Sequence, residues 1–122
     1  MSGANVVDSS GWLEYFAGTT RAKLFAAAIE DEENLVVPVI SIYEVFKKVL
    51  RDRDEDTALQ TVSVMMTGRV IDIDAALALE AAHLKMPLAD SIIYATATRH
   101  DATVWTQDED FKDMPNVRYF EK

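Results

Sequence analysis

The chain reads as an α/β protein, a three-layer sandwich on a central, mostly parallel, Rossmann-like sheet of four or five strands. Three observations predict this. Runs of about four mostly apolar residues recur from end to end, too apolar for strands with one wet face. Longer stretches with apolar residues at helical spacing separate them. Gly18, Gly68 and Pro87 stand at the joints, where one element stops and the next begins.

The elements follow in order. Asn5-Val6-Val7-Asp8 is a short buried strand. Ser9 to Ala17 is a helix carrying Trp12, Tyr15 and Phe16 at helical spacing, and Gly18 stops it. Thr20 to about Ile29 is a second helix, with Leu24, Phe25 and Ala28 on one face. Leu35 to Pro38 is the second strand. Ser41 to Leu50 is a helix with Ile42, Val45, Phe46, Val49 and Leu50. Asp54 to Met66 is another, ended by Gly68. Val70 to Ile73 is the third strand. Ala75 to Leu84 and Leu88 to Arg99 are two more helices, divided by Pro87. Thr103 to Thr106 is the fourth strand, and Val117 to Phe120 is a weaker fifth. Right-handed crossovers between parallel strands put every strand's C-terminal end on one edge.

Composition narrows the function classes. The 122 residues, 49% hydrophobic, suffice for one domain over 1–122 with one core. No stretch reaches the ~20 apolar residues of a membrane span. The opening MSGANVVDSSGW lacks a charged n-region and a long apolar h-region, so no secretory signal and a cytoplasmic location are expected. With no cysteine there is no disulfide and no thiolate zinc site. A net charge of −9 does not draw nucleic acid by bulk electrostatics, so any such contact needs metal ions or local basic patches.

Asp8, Glu44, Asp90 and Asp108 each fall just past a strand or in the first turn of the helix that follows. Each has a plain structural reading. Asp8 suits the cap of the first helix. Ser41-Ile42-Tyr43-Glu44 matches a capping box. Asp90 suits the positive end of its helix dipole. Asp108 suits a cap on the turn toward Phe111. Together they close four strand-to-helix passages on the edge where parallel sheets bind ligands. Carboxylates so gathered repel one another, which should raise at least one pKa. A hard divalent cation is the natural counter-charge, and a phosphodiester the natural substrate for it.

These segments resemble the PIN domain family of metal-dependent ribonucleases, in particular the VapC-type toxins of VapBC toxin–antitoxin pairs. The resemblance spans nearly the whole chain. It is carried by Val6-Val7-Asp8-Ser9-Ser10, by Ser41-Ile42-Tyr43-Glu44-Val45, by Pro87 to Ala97 around Leu88-Ala89-Asp90-Ser91, and by Val104-Trp105-Thr106-Gln107-Asp108-Glu109-Asp110-Phe111. It implies RNA phosphodiester hydrolysis with one or two magnesium or manganese ions. Asp8, Asp90 and Asp108 are then the ligands, and Glu44 ligates or orients the attacking water. Ser9 and Thr106 match supporting hydroxyl positions. Asp108 is favoured as the metal-facing acid of its segment, with Asp110 supporting it, and either can be the fourth acid. The family also implies a homodimer and a small antitoxin that reaches the acidic pocket, with the first three helices lining its groove.

Other features read as structural. His83 and His100 are isolated from any ligand partner, and Glu30 to Glu33 is a solvated helix end. Trp105 and the Tyr43, Phe46 and Val49 stripe suit core or interface. Lys47, Lys48, Arg51 and Arg53 are the densest basic group, either favourable charge at a helix C-terminus or contacts to RNA phosphate. Three alternatives remain: a PIN nuclease that processes RNA without a toxin role, a phosphoacceptor receiver domain, and a non-catalytic binding module.

Overall fold

Val6 and Val7 set the plan of the molecule. Successive strand residues face opposite ways, and both valines are fully buried. The sheet is therefore covered on both faces. In the computed structural model, which describes residues 3–122, the elements run β1 (Asn5–Val7), α1 (Ser9–Ala17), α2 (Ala22–Glu30), β2 (Val36–Pro38), α3 (Val39–Asp52), α4 (Glu55–Met65), β3 (Arg69–Ile71), α5 (Ala75–Ala82), α6 (Leu88–Arg99), β4 (Thr103–Thr106) and β5 (Val117–Tyr119). Short 3-10 turns at Glu32–Asn34 and Glu109–Phe111 precede β2 and follow β4. Residues 1 and 2 of the expected domain lie outside the described residues.

All strand pairs are parallel. β1 pairs with β4, β4 with β5, and β2 with β3. A single bridge, Asn5 to Leu35, joins the two pieces, giving the order β3-β2-β1-β4-β5. Strands of three or four residues leave β1 and β2 only that one shared pair. The order reverses between β1 and β4, the switch point at which doubly wound sheets open a ligand crevice. A receiver-type sheet runs 2-1-3-4-5 instead, so that alternative falls on topology.

The two faces have separate cores. Val7 and Val37 pack with Trp12, Phe25, Ala28, Ile29, Val45 and Met65 from α1 to α4. Val6, Val36 and Val104 pack with Ile93, Tyr94 and Ala97 of α6, and with Phe111. Leu77 and Ala81 of α5 then cover the outer side of α6 at Ile92 and Ala95. This explains why α6 is buried without interruption from Ser91 to Ala97. A helix apolar on all sides belongs between two layers. Gly11 lets α1 close on the sheet, since a Cβ there would lie 2.7 Å from Phe25 and Val7 side-chain atoms.

Boundaries differ from expectation for local reasons. α2 begins at Ala22, not Thr20, because Gly18 takes φ 65° and the Thr19 hydroxyl accepts from Arg21 N, so the chain is still turning. β3 ends at Ile71, opposite Pro38, because its partner strand stops there. α3 begins two residues early, at Val39, with Pro38 at φ −62° as the capping residue. The capping box expected at Ser41 and Glu44 therefore does not form, since Ser41 is already inside the helix. Glu44 is left free for another partner.

Candidate active site

Asp8 leaves β1 at the switch point and is almost fully buried, at 2% exposure. It caps α1 as its local sequence suggests, accepting from Gly11 N at 3.0 Å. It also accepts from Ser10 Oγ at 3.0 Å and, across the sheet, from Thr106 Oγ1 of β4 at 2.8 Å. Thr106 accepts in turn from Asp108 N at 2.9 Å. A chain of hydrogen bonds thus ties the ends of the two central strands together. Burial pushes the Asp8 carboxyl up to about 6, against the pull of those donors.

Asp90, Asp108 and Asp110 come together from two further passages. One oxygen of each lies within 4.8 Å of the others. Asp90 sits in the first turn of α6, and Asp108 caps the turn after β4 by accepting from Asp110 N at 2.9 Å. Asp90 is pushed up to about 7, by burial first, then by the charge of Asp108 and by Asp110, with Asp8 adding to the effect. Among the described residues none of these acids takes part in an ion pair. Hard oxygen donors held this close are a donor set that fits a hard divalent metal ion. Asp8 is not one of the three clustered residues, but its charge is felt by Asp90.

Glu44 reaches the same edge by another route. It accepts from Ser9 Oγ at 2.5 Å, pinning α3 beside the residue that follows Asp8. Every sequence-derived acid therefore adjoins this edge or one of its immediate supports. The basic group is engaged by its own neighbours. Lys48 and Arg51 are paired with Asp52, and Lys47 lies over the Tyr43 ring. Lys48 and Arg53 line a separate, largely apolar groove of about 440 Å³ between α1, α3 and α4. His83 is exposed, with its Nδ1 2.8 Å from Leu79 O, and neither histidine joins the acids.

Gln107, Arg21 and Glu14 carry no sequence signal that singles them out, yet they hold up the site. Gln107 is buried beside Asp108. Its Oε1 accepts from Arg21 Nε at 2.5 Å and its amide donates to Glu14 at 2.7 Å. Arg21 also donates to Phe120 O at 3.1 Å. Next to this network lies a cleft of about 640 Å³ whose walls include Asp108, Asp110, Lys112 and Tyr119. A polar residue directly after an apolar strand was the one available hint at Gln107. Its partner, 86 residues away, was not legible.

Fold and site together define a doubly wound α/β protein with a cluster of oxygen donors at its switch point. The sequence matches the PIN domain family over residues 6–117, and the chain belongs to that family. No curated protein matches it. Solved structures share its fold. A toxin–antitoxin complex from Klebsiella pneumoniae superposes with a TM-score of 0.81 at 24% identity, covering 98% of this chain and 100% of that one. Mycobacterium tuberculosis VapC20, described as a toxin cleaving the sarcin–ricin loop, gives 0.77 at 16%, covering 93% and 97%. VapBC2 from Rickettsia felis, bound to a promoter DNA fragment, gives 0.73 at 13%, covering 97% and 99%.

Proposed function

We propose that this protein is a magnesium- or manganese-dependent endoribonuclease, the toxin of a type II toxin–antitoxin pair. The observation that carries the reading is the unpaired carboxylate group of Asp90, Asp108 and Asp110 beside buried Asp8, with Asp90 held near pKa 7. Asp90, Asp108 and Asp110 would hold the ion, and Asp8 would complete the negative charge around it. A bound divalent ion supplies Lewis-acid activation of water and of the phosphodiester. The protein's own part is positional. Thr106 and Ser10 hold the Asp8 carboxylate against the repulsion of its neighbours. Ser9 orients Glu44, which accepts a proton from, or aims, the attacking water.

The toxin role is supported by the fold shared with toxin–antitoxin proteins along the full length of both chains. A small antitoxin is the partner, and the apolar groove between α1, α3 and α4 offers it a seat. RNA is the substrate, and the protein acts as a homodimer. Purified protein is expected to cut RNA with magnesium or manganese and to stop in excess EDTA. Asp90→Asn is expected to lower cutting at least ~10³-fold, about 4 kcal/mol of barrier, without loss of fold by circular dichroism. Full activity in EDTA refutes the reading. Growth arrest on expression, relieved by the product of a small neighbouring reading frame, separates a toxin from an RNA-processing nuclease.

A further inference from the structure

The cleft lined by Asp108 and Asp110 is lined also by Lys112, Tyr119 and Lys122. Amine and aromatic groups therefore share this cleft with the carboxylates of Asp108, Asp110, Glu109 and Glu121. Lys112 Nζ lies 5.7 Å from the centre of the Tyr119 ring, so amine and ring already form one corner. Lys112 is exposed, and among the described residues it makes no ion pair, unlike Lys48, Arg51 and Arg99, which carboxylates neutralise. On a chain of charge −9, free cations beside the acids matter more than they would on a basic surface. One wall of the cleft is firm. Gln107 is gripped by Arg21 and Glu14, and Arg21 also holds the backbone just after Tyr119 through Phe120 O.

We propose that Lys112 and Tyr119 form a nucleotide subsite for single-stranded RNA, adjacent to the bond cut at the acids. Lys112 meets a phosphate flanking the scissile one, and the Tyr119 ring stacks on an unpaired base. A phosphate-to-amine contact with base-to-aromatic stacking is how single strands are held without base pairing. The acids by themselves repel a polyanion, so a positive contact one step along the strand gives the substrate its direction across the site. This inference rests on the nuclease reading for the identity of the bond cut, but the binding it describes is measured without cutting.

The test uses the full chain carrying Asp90→Asn, in magnesium, and a fluorescein-labelled single-stranded RNA 12-mer of mixed sequence, read by anisotropy across a salt series. Lys112→Ala is expected to weaken binding about tenfold and flatten the salt dependence by close to one phosphate contact. Tyr119→Leu is expected to weaken it about tenfold with the slope unchanged, while Tyr119→Phe keeps the affinity. Lys112→Arg restores both affinity and slope. In the active protein, Lys112→Ala is expected to raise KM for RNA while kcat stays within about twofold. Both loss variants binding within twofold of the parent with the parent's slope overturns the proposal, as does a parent that shows no saturable binding. Cutting with normal binding by both variants removes only the subsite. Binding that follows Lys112 and Tyr119 in a protein that never cuts removes only the nuclease reading.

Discussion

Two groups of acids on this molecule differ in how their charge is answered. On the helical surface Asp74 and Glu80 share Arg99, at 3.2 and 2.6 Å. The Leu77 backbone N–H and Arg99 together hold the Asp74 carboxyl below its usual range. At the sheet edge Asp90, Asp108 and Asp110 crowd together beside buried Asp8, and the pKa values of Asp8 and Asp90 move the other way. The first arrangement is complete as it stands, because every charge has a partner and water screens the rest. The second keeps its negative charge at a cost to folding. A group of acids held against repulsion marks a functional site more strongly than the mere number of acids does.

The sharpest way to break this contrast is to replace Asp90 with Asn. At the surface pair, an equivalent loss costs nothing in activity. At the sheet edge the same isosteric change is expected to remove cutting and yet raise the thermal midpoint of metal-free protein at pH 8, because a repulsive charge is gone. A fall in midpoint there would mean the acids stabilise the fold rather than burden it.

The pH dependence tests the same contrast with no mutation. The folded-state pKa values of Asp8 and Asp90, about 6 and about 7, lie above the ordinary 3.8. Near pH 4 the folded protein binds more protons than the unfolded chain. Metal-free stability is therefore greatest at the acid end of this window and is lost as pH rises from about 4 to about 7. Raising the buried Asp8 carboxyl from 3.8 to about 6 corresponds to roughly 3 kcal/mol. Magnesium at pH 7.5 is expected to restore the midpoint in denaturant melts, and a metal-free profile that rises across this window contradicts the assignment.

Thr106→Val separates support from charge. It leaves Asp8 without one donor and the Asp108 N–H without its acceptor, at a cost of about 1–3 kcal/mol. A urea titration reads the loss, and the apparent affinity for magnesium is expected to fall with it. The smallest effect is expected from Arg99→Ala, which breaks only exposed pairs and should shift the melting midpoint by less than about 3 °C, with cutting unaffected. A larger loss there would mean that the surface group, too, holds the fold under tension.

Much of this could be read before folding. Asp8 and Asp108 serve as the caps their local sequences suggest, and Thr106 links the same two residues at the edge. At Glu44 only the local capping pattern misleads. The capping-box pattern at Ser41 was present, but Pro38 started the helix earlier and freed Glu44 for Ser9, 35 residues away. Lys47, Lys48 and Arg51 were the visible basic group, while Lys112 and Tyr119, seven residues apart in sequence and unremarkable there, share the acid cleft. The Gln107 network joins three distant stretches and leaves no periodic trace.

Hydrophobic spacing and the placement of acids after strands are local properties, so the order of residues determined the alternation of strand and helix, the burial of both sheet faces and the edge on which the carboxylates stand. Which carboxylates come within ligand distance, which cations stay unpaired and which polar side chains brace them depended on how the short strands align and how the helices dock. Those pairings are set by packing between residues tens of positions apart, and burial then decides their charge.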